Sequence, residues 1–258
     1  MKRCLIIIGN QGSPHQGNYL PGVSRDMNNY LSFFKSDNGG AWEENEIVSK
    51  KYDWTREGLS STILLRRMDG LEYAVVVFAG HGYAQKNGEA YFELSDGNDV
   101  SLSTIKSWFP HQKVLMIADS CQCFVNLYRE GGILNEALAQ KHFSFRRDYL
   151  RNLYNNRIES VPTNAFTFAS AVSPGEAAND TSKGGLYSYN LLNFANDCVN
   201  NPRIGEGIIP IDAIHAETKT NVMIKSDNKQ HPKLTMMLGS DTYDSELYSL
   251  VFPPFVVK

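Results

Sequence analysis

Three short runs of almost unbroken apolar residues constrain this chain more than anything else in it: "RCLIII" at 3–8, "YAVVVFA" at 73–79 and "KVLMIA" at 113–118. A strand with one face in water alternates apolar and polar residues. These runs do not alternate, so both faces are expected to be buried, as in a parallel sheet covered by helices on each side. A fourth run, "AFTFASA" at 165–171, reads the same way, and a weaker strand is expected at 46–49. Helical spacing fills the gaps. From Ser24 the residues Met27, Tyr30, Leu31 and Phe34 recur on one face, and Thr55 can cap a second helix that carries Leu59, Ile63 and Met68 and stops at Gly70. Further helices are expected at 185–199 and 210–224, a small hairpin within "YFELSDGNDVSL" and a last strand at 234–238. Strand, helix, strand, helix is the α/β signature.

Length and composition narrow the classes. A chain of 258 residues with 42% apolar residues can bury one sizeable core, and one domain is the default expectation. A net charge of −3, with no long basic run, gives no general attraction to phosphate backbones, so nucleic acid is not expected as a partner. No segment approaches the roughly 20 apolar residues of a membrane helix, and the first apolar run is too short for a secretory signal, so no membrane partner and a cytoplasmic location are expected. Cys4, Cys121, Cys123 and Cys198 make no dense framework and are expected to be reduced.

Two strand ends carry chemistry. "VVVFAGHGYAQ" presents His81 between two glycines, and "KVLMIADSCQCF" places Cys121 at the corresponding spot. Ligands of open α/β sheets bind beyond the carboxyl ends of the strands. If the two strands are neighbours, imidazole and thiol come within reach, and a thiol whose proton can be taken becomes a nucleophile. The N–H groups of Gly82 and Cys121 then suit an oxyanion hole. Each residue alone has a plainer reading, a loop histidine and a buried structural thiol, and "CQC" admits a metal or redox pair. No second Cys or His cluster completes a metal site, so no metal or cofactor is expected. A flavodoxin-like binding domain is a weaker alternative, because "GNQGSPHQGNYLPG" lacks the spacing of a phosphate loop.

"FAGHG" followed forty residues later by "ADSC" resembles the caspase-like cysteine peptidases, most closely their metacaspase and bacterial branch. "YLPGVSRDMNNYLSFF" is similar to that branch's Leu-x-Gly-x-x-x-Asp turn and first helix, "GGLYSYNLL" to the helix start of the smaller subunit, and "HPKLTM" to its closing segment. The resemblance implies a caspase-like α/β fold with a mostly parallel central sheet flanked by helices. It further implies peptide-bond hydrolysis by a Cys121–His81 dyad on protein or peptide substrates. It divides the single domain, 1–258, into a large-subunit-like part (1–124), a basic linker (125–161) and a small-subunit-like part (162–258). The eukaryotic signature Q-A-C-[RQG]-G is absent, since the chain reads Asp119-Ser120-Cys121-Gln122-Cys123. Calcium activates some metacaspases, but the acidic stretch "ELSDGNDVS" is no EF-hand loop and reads as a solvated turn. With the first strand at the start of the given chain, activation points to a separate partner or ion.

Two expectations concern selectivity and processing. By the same resemblance Asp119 and Asp26 border the primary substrate pocket, and Leu20 stands where caspases that cut after Asp place an arginine. Two buried acids repel one another and lack solvation, and an Arg or Lys side chain from a substrate would relieve both, so cleavage after Arg or Lys is expected. The polar stretch 125–161 offers Arg129, Lys141, Arg146, Arg147, Arg151 and Arg157, and self-cleavage is expected there, above all at Arg146, Arg147, Arg151 or Arg157; a solvated charged helix is the alternative. Regulated cell death, defence against phage and routine processing are all compatible roles. At the level of function, an idle caspase-fold module that regulates a partner stands against the active peptidase.

Overall fold

A computed structural model describes residues 1–50, 53–123, 144–201, 207–239, 241–243 and 249–256. Strand β1 (Arg3–Asn10) leads to helix α1 (Val23–Lys35), then β2 (Ile47–Ser49), α2 (Arg56–Met68) and β3 (Tyr73–Gly80). A small antiparallel sheet follows, β4 (Gly82–Ala84), β5 (Ala90–Glu93) and β6 (Asp99–Ser101), then α3 (Leu102–Ser107) and β7 (Lys113–Ser120). The second half holds α4 (Ser144–Glu159), β8 (Ala165–Ser170), the two-residue strands β9 (Asp180–Thr181) and β10 (Gly184–Gly185), and α5 (Leu186–Asn200). It ends with β11 (Gly207–Pro210), α6 (Ile211–Lys225), β12 (Lys233–Leu238), β13 (Asp241–Tyr243) and β14 (Val251–Val256).

The main sheet has seven strands in the order β13-β12-β8-β7-β3-β1-β2. Strands β2, β1, β3, β7 and β8 run parallel, and β12 and β13 add antiparallel to one edge. Each of the three apolar runs that define β1, β3 and β7 is buried along its whole length. Alternation distributes them: Leu5, Ile7, Val75, Val77, Leu115 and Ile117 join one core with residues of α1, α4, α5 and α6, whereas Ile6, Ile8, Val76, Phe78 and Met116 join the other with α2 and α3.

Thr55 caps α2 by accepting the Gly58 N–H, and Leu59 and Ile63 are buried as their spacing requires. Met68 departs from expectation: it is 75% exposed, because nine residues separate it from Leu59 and a helix turning about 100° per residue puts it on the opposite face.

The stretch read as a polar linker contains α4. Leu150, Tyr154 and Ile158, four residues apart, are buried against the core, with Asn152 and Asn156 exposed on the opposite side. Arg151 reaches back to Glu46 at 2.8 Å and to the Ala41 carbonyl, and Arg147 donates to the carbonyls of Lys35 and Trp42. Arg129 and Lys141 lie outside the described residues.

Candidate active site

β3 and β7 are neighbours in register, with Gly80 opposite Ser120. His81 and Cys121 therefore leave adjacent strands at the same level, about 5 Å apart at the backbone. Gly82 packs against the same turn: a Cβ there would come 2.7 Å from the Tyr91 carbonyl oxygen and 3.1 Å from both the Cys121 carbonyl oxygen and Ser120 Oγ, too close for a side chain without a shift of the main chain.

The His81 ring is oriented by a contact absent from the sequence reading. Its Nε2 lies 2.6 Å from the Asn18 carbonyl oxygen. A carbonyl only accepts, so Nε2 carries the hydrogen and the neutral ring keeps Nδ1 as the proton acceptor. Asn18 belongs to the 11–18 loop, whose Gly12 has φ +68° and whose missing Cβ makes room for the imidazole. Nothing in the local sequence marks a backbone carbonyl for this task.

Cys121 is partly covered, and its thiol donates weakly to the Ala178 carbonyl at 3.8 Å. Burial pushes the thiol up to about 11, and Cys123, Asp119 and Asp180 add to the rise. Gln122, the next residue, is fixed from both sides, since its N–H donates to the Glu176 carbonyl and its carbonyl accepts from Gly175. Glu176 is in turn held by His231, whose Nδ1 is 2.7 Å from Oε1.

The two acids expected to converge do so, on the first turn of α5. Asp26 Oδ2 accepts the Gly185 N–H at 2.8 Å and Asp119 Oδ2 accepts the Ser188 N–H at 2.8 Å. Neither caps its own element; they serve the helix beyond the β9–β10 turn. That turn passes so close that a Cβ on Gly184 would overlap Asp26 and one on Gly185 would overlap Asp119. Both acids are nearly covered, 2% and 7% exposed. Burial, first, and mutual repulsion raise Asp26 well above the ordinary carboxylate range, and burial raises Asp119. Asp26 Oδ1 is buried with no hydrogen-bond partner. Leu20 packs against the neighbouring core.

A third acid, Asp180, was not legible in the sequence. It accepts the Gly22 N–H at 3.1 Å, and burial raises it while the hydrogen bonds from the Gly22 and Thr181 N–H groups and the Arg25 charge oppose the rise. "NDTSKGG" is a polar loop by composition, and only the fold brings it over the start of α1.

Comparison with known proteins places the family and the fold. A sequence profile described as the caspase domain matches residues 1–243. The chain belongs to the caspase-domain family. Its fold is similar to that of a Geobacter sulfurreducens protein at TM-score 0.57 and 14% identity, covering 100% of this chain and 99% of that one. It is similar also to caspase-1 of Spodoptera frugiperda, at TM-score 0.58 and 13% identity over 93% of this chain and 90% of that one. A search of curated protein sequences gave no match. Among the described residues of this caspase domain no helix is long and apolar enough to cross a membrane.

Proposed function

We propose that this caspase domain is a cysteine endopeptidase that cuts after Arg or Lys. The observation that carries the reading is the pairing of His81 and Cys121 at the ends of adjacent parallel strands, with the imidazole tautomer set by Asn18. His81 Nδ1 takes the Cys121 proton as sulfur attacks the scissile carbonyl carbon. The N–H groups of Gly82 and Cys121 receive the oxyanion. Collapse breaks the C–N bond, and the imidazolium gives its proton to the departing amine. Water then attacks the thioester with His81 as base, which releases the acid and restores the thiol. Nothing in these steps calls for a metal or cofactor.

Selectivity follows from Asp26, Asp119 and Asp180. A guanidinium or ammonium entering among them would supply the missing partner of Asp26 Oδ1 and offset the burial and repulsion that raise Asp26 and Asp119. Since the Gly184–Gly185 turn covers the acids in this state, a substrate must displace it.

The test uses fluorogenic peptides ending in Arg, Lys, Asp or Leu. Wild type is expected to favour Arg and Lys, and Cys121→Ala or His81→Ala to lose about a thousandfold or more. Preference for the Asp peptide would refute the acid pocket. The competing reading, an idle module that regulates a partner, draws on the high thiol pKa and the covered acids; labelling of Cys121 by a peptidyl probe would exclude it. Self-processing is proposed as well. Arg146, Arg147, Arg151 and Arg157 stand in α4, so cutting there requires local unwinding, and the intact masses of wild type and Cys121→Ala after incubation decide it.

A further inference from the structure

The small sheet that follows His81 carries a second feature next to the imidazole. The β4–β5 ladder pairs Gly82 with Phe92, Tyr83 with Tyr91 and Ala84 with Ala90, and the Glu93 N–H donating to the His81 carbonyl extends it by one residue pair. Side chains alternate across such a ladder. Phe92, Ala84 and Ala90 take the buried face, which places His81, Tyr83, Tyr91 and Glu93 on the outward one. On β6, Asp99 pairs with Glu93 and shares that face. The Tyr83 ring lies across β5: its hydroxyl donates to Asp99 Oδ2 on β6 at 2.8 Å, and its ring stacks on Tyr91 at 5.1 Å between centroids and 6° between planes. The result is a flat aromatic platform beside two carboxylates, one ladder step, about 7 Å, from His81. The segment 82–101 holds one lysine against four acids, Glu89, Glu93, Asp96 and Asp99.

His81 must stand next to the amine it protonates, so chain leaving the scissile bond passes this platform. We infer that Tyr83 and Tyr91, with Glu93 and Asp99, form a subsite for a basic side chain within the first two residues after the scissile bond. A lysine or arginine there meets the ring face as a cation meets a π system, with the carboxylates to balance its charge. A phenol that donates to a carboxylate is an electron-richer partner for a cation. The inference rests on the peptidase reading, because without bond cleavage at Cys121 there is no leaving side.

The experiment separates the two. Quenched peptides identical up to an Arg at the cut, with Lys, Leu or Asp in the two positions after it, are compared with an Arg aminomethylcoumarin substrate that has no residue there. Wild type is expected to favour Lys over Leu by about fivefold in kcat/KM and over Asp by more. Tyr83→Leu should bring the Lys to Leu ratio to about one, whereas Tyr83→Phe, which keeps the ring, should retain most of it. If Tyr83→Leu fails to fold, Glu93→Gln combined with Asp99→Asn should shrink the ratio instead. Turnover of the coumarin substrate with a flat peptide series, or a preference that survives Tyr83→Leu, overturns the subsite alone. No turnover of any substrate overturns the peptidase reading and the subsite with it.

Discussion

Cys121 holds its proton at neutral pH because burial disfavours the thiolate, and Cys123, Asp119 and Asp180 push the same way. Catalysis therefore depends on His81 drawing the proton off as substrate arrives, without a standing thiolate. Alkylation of the unliganded enzyme by iodoacetamide, followed by mass spectrometry at Cys121, is expected to be slow at pH 7 and to climb steadily towards pH 10; a plateau reached below pH 8 would contradict this. The neighbouring acids allow a second prediction. With Asp119 raised in the folded chain, the native state binds its proton more tightly than the unfolded state, so the group's contribution to stability falls as pH rises above the ordinary carboxylate value of about 4. Asp119→Asn keeps an oxygen for the Ser188 N–H and removes the buried charge. Its melting temperature at pH 7 should equal or exceed that of wild type, while kcat/KM for Arg peptides falls by about tenfold or more. A lower melting temperature with undiminished Arg cleavage would make Asp119 a purely structural cap.

Among the elements, α4 shows how charge ties a polar helix to the core. Glu46 sits between Arg3 and Arg151, within hydrogen-bond reach of both guanidinium groups, and Arg3 also lies over the Trp42 ring. Burial alone would raise the Glu46 carboxyl, but the hydrogen bonds from Arg151 and Arg3 outweigh it and hold it at about 2. The stabilisation is complete above the unfolded value of about 4.3 and is lost as pH falls through about 2. Glu46→Ala leaves Arg3 buried without its partner and is expected to cost about 3 to 5 kcal/mol in denaturant unfolding. It should also loosen α4, and any self-cleavage at Arg146 to Arg157 should then run faster in Glu46→Ala than in wild type when followed by intact mass. A solvated charged helix stood as the alternative to a linker here, and α4 is a helix; its anchoring in the core was harder to see, because the apolar stripe is only three residues, Leu150, Tyr154 and Ile158, diluted by arginines and asparagines, with their spacing of four the available signal.

Across the whole molecule the thiols divide by depth. Cys4 and Cys198 are 0% and 2% exposed, so a maleimide is expected to add to at most two sites in the native protein, Cys121 and Cys123, and to four after denaturation; a third native adduct would show that a core strand or α5 opens readily. The sequence alone determined the parallel core strands, the helices α1, α2, α5 and α6 that cover them and the positions of His81 and Cys121. It could do so because a strand buried on both faces must be apolar throughout, and because a functional side chain at its end stands out against that run. It also showed that Asp26 and Asp119 were available, through family resemblance. Only the tertiary structure decided that β3 and β7 lie side by side in register, that an Asn18 carbonyl sets the imidazole tautomer, and that Asp180 and the Gly184–Gly185 turn close over the two acids. These are contacts between segments 40 to 160 residues apart, made through backbone N–H and C=O groups that every residue carries, so no residue type announces them.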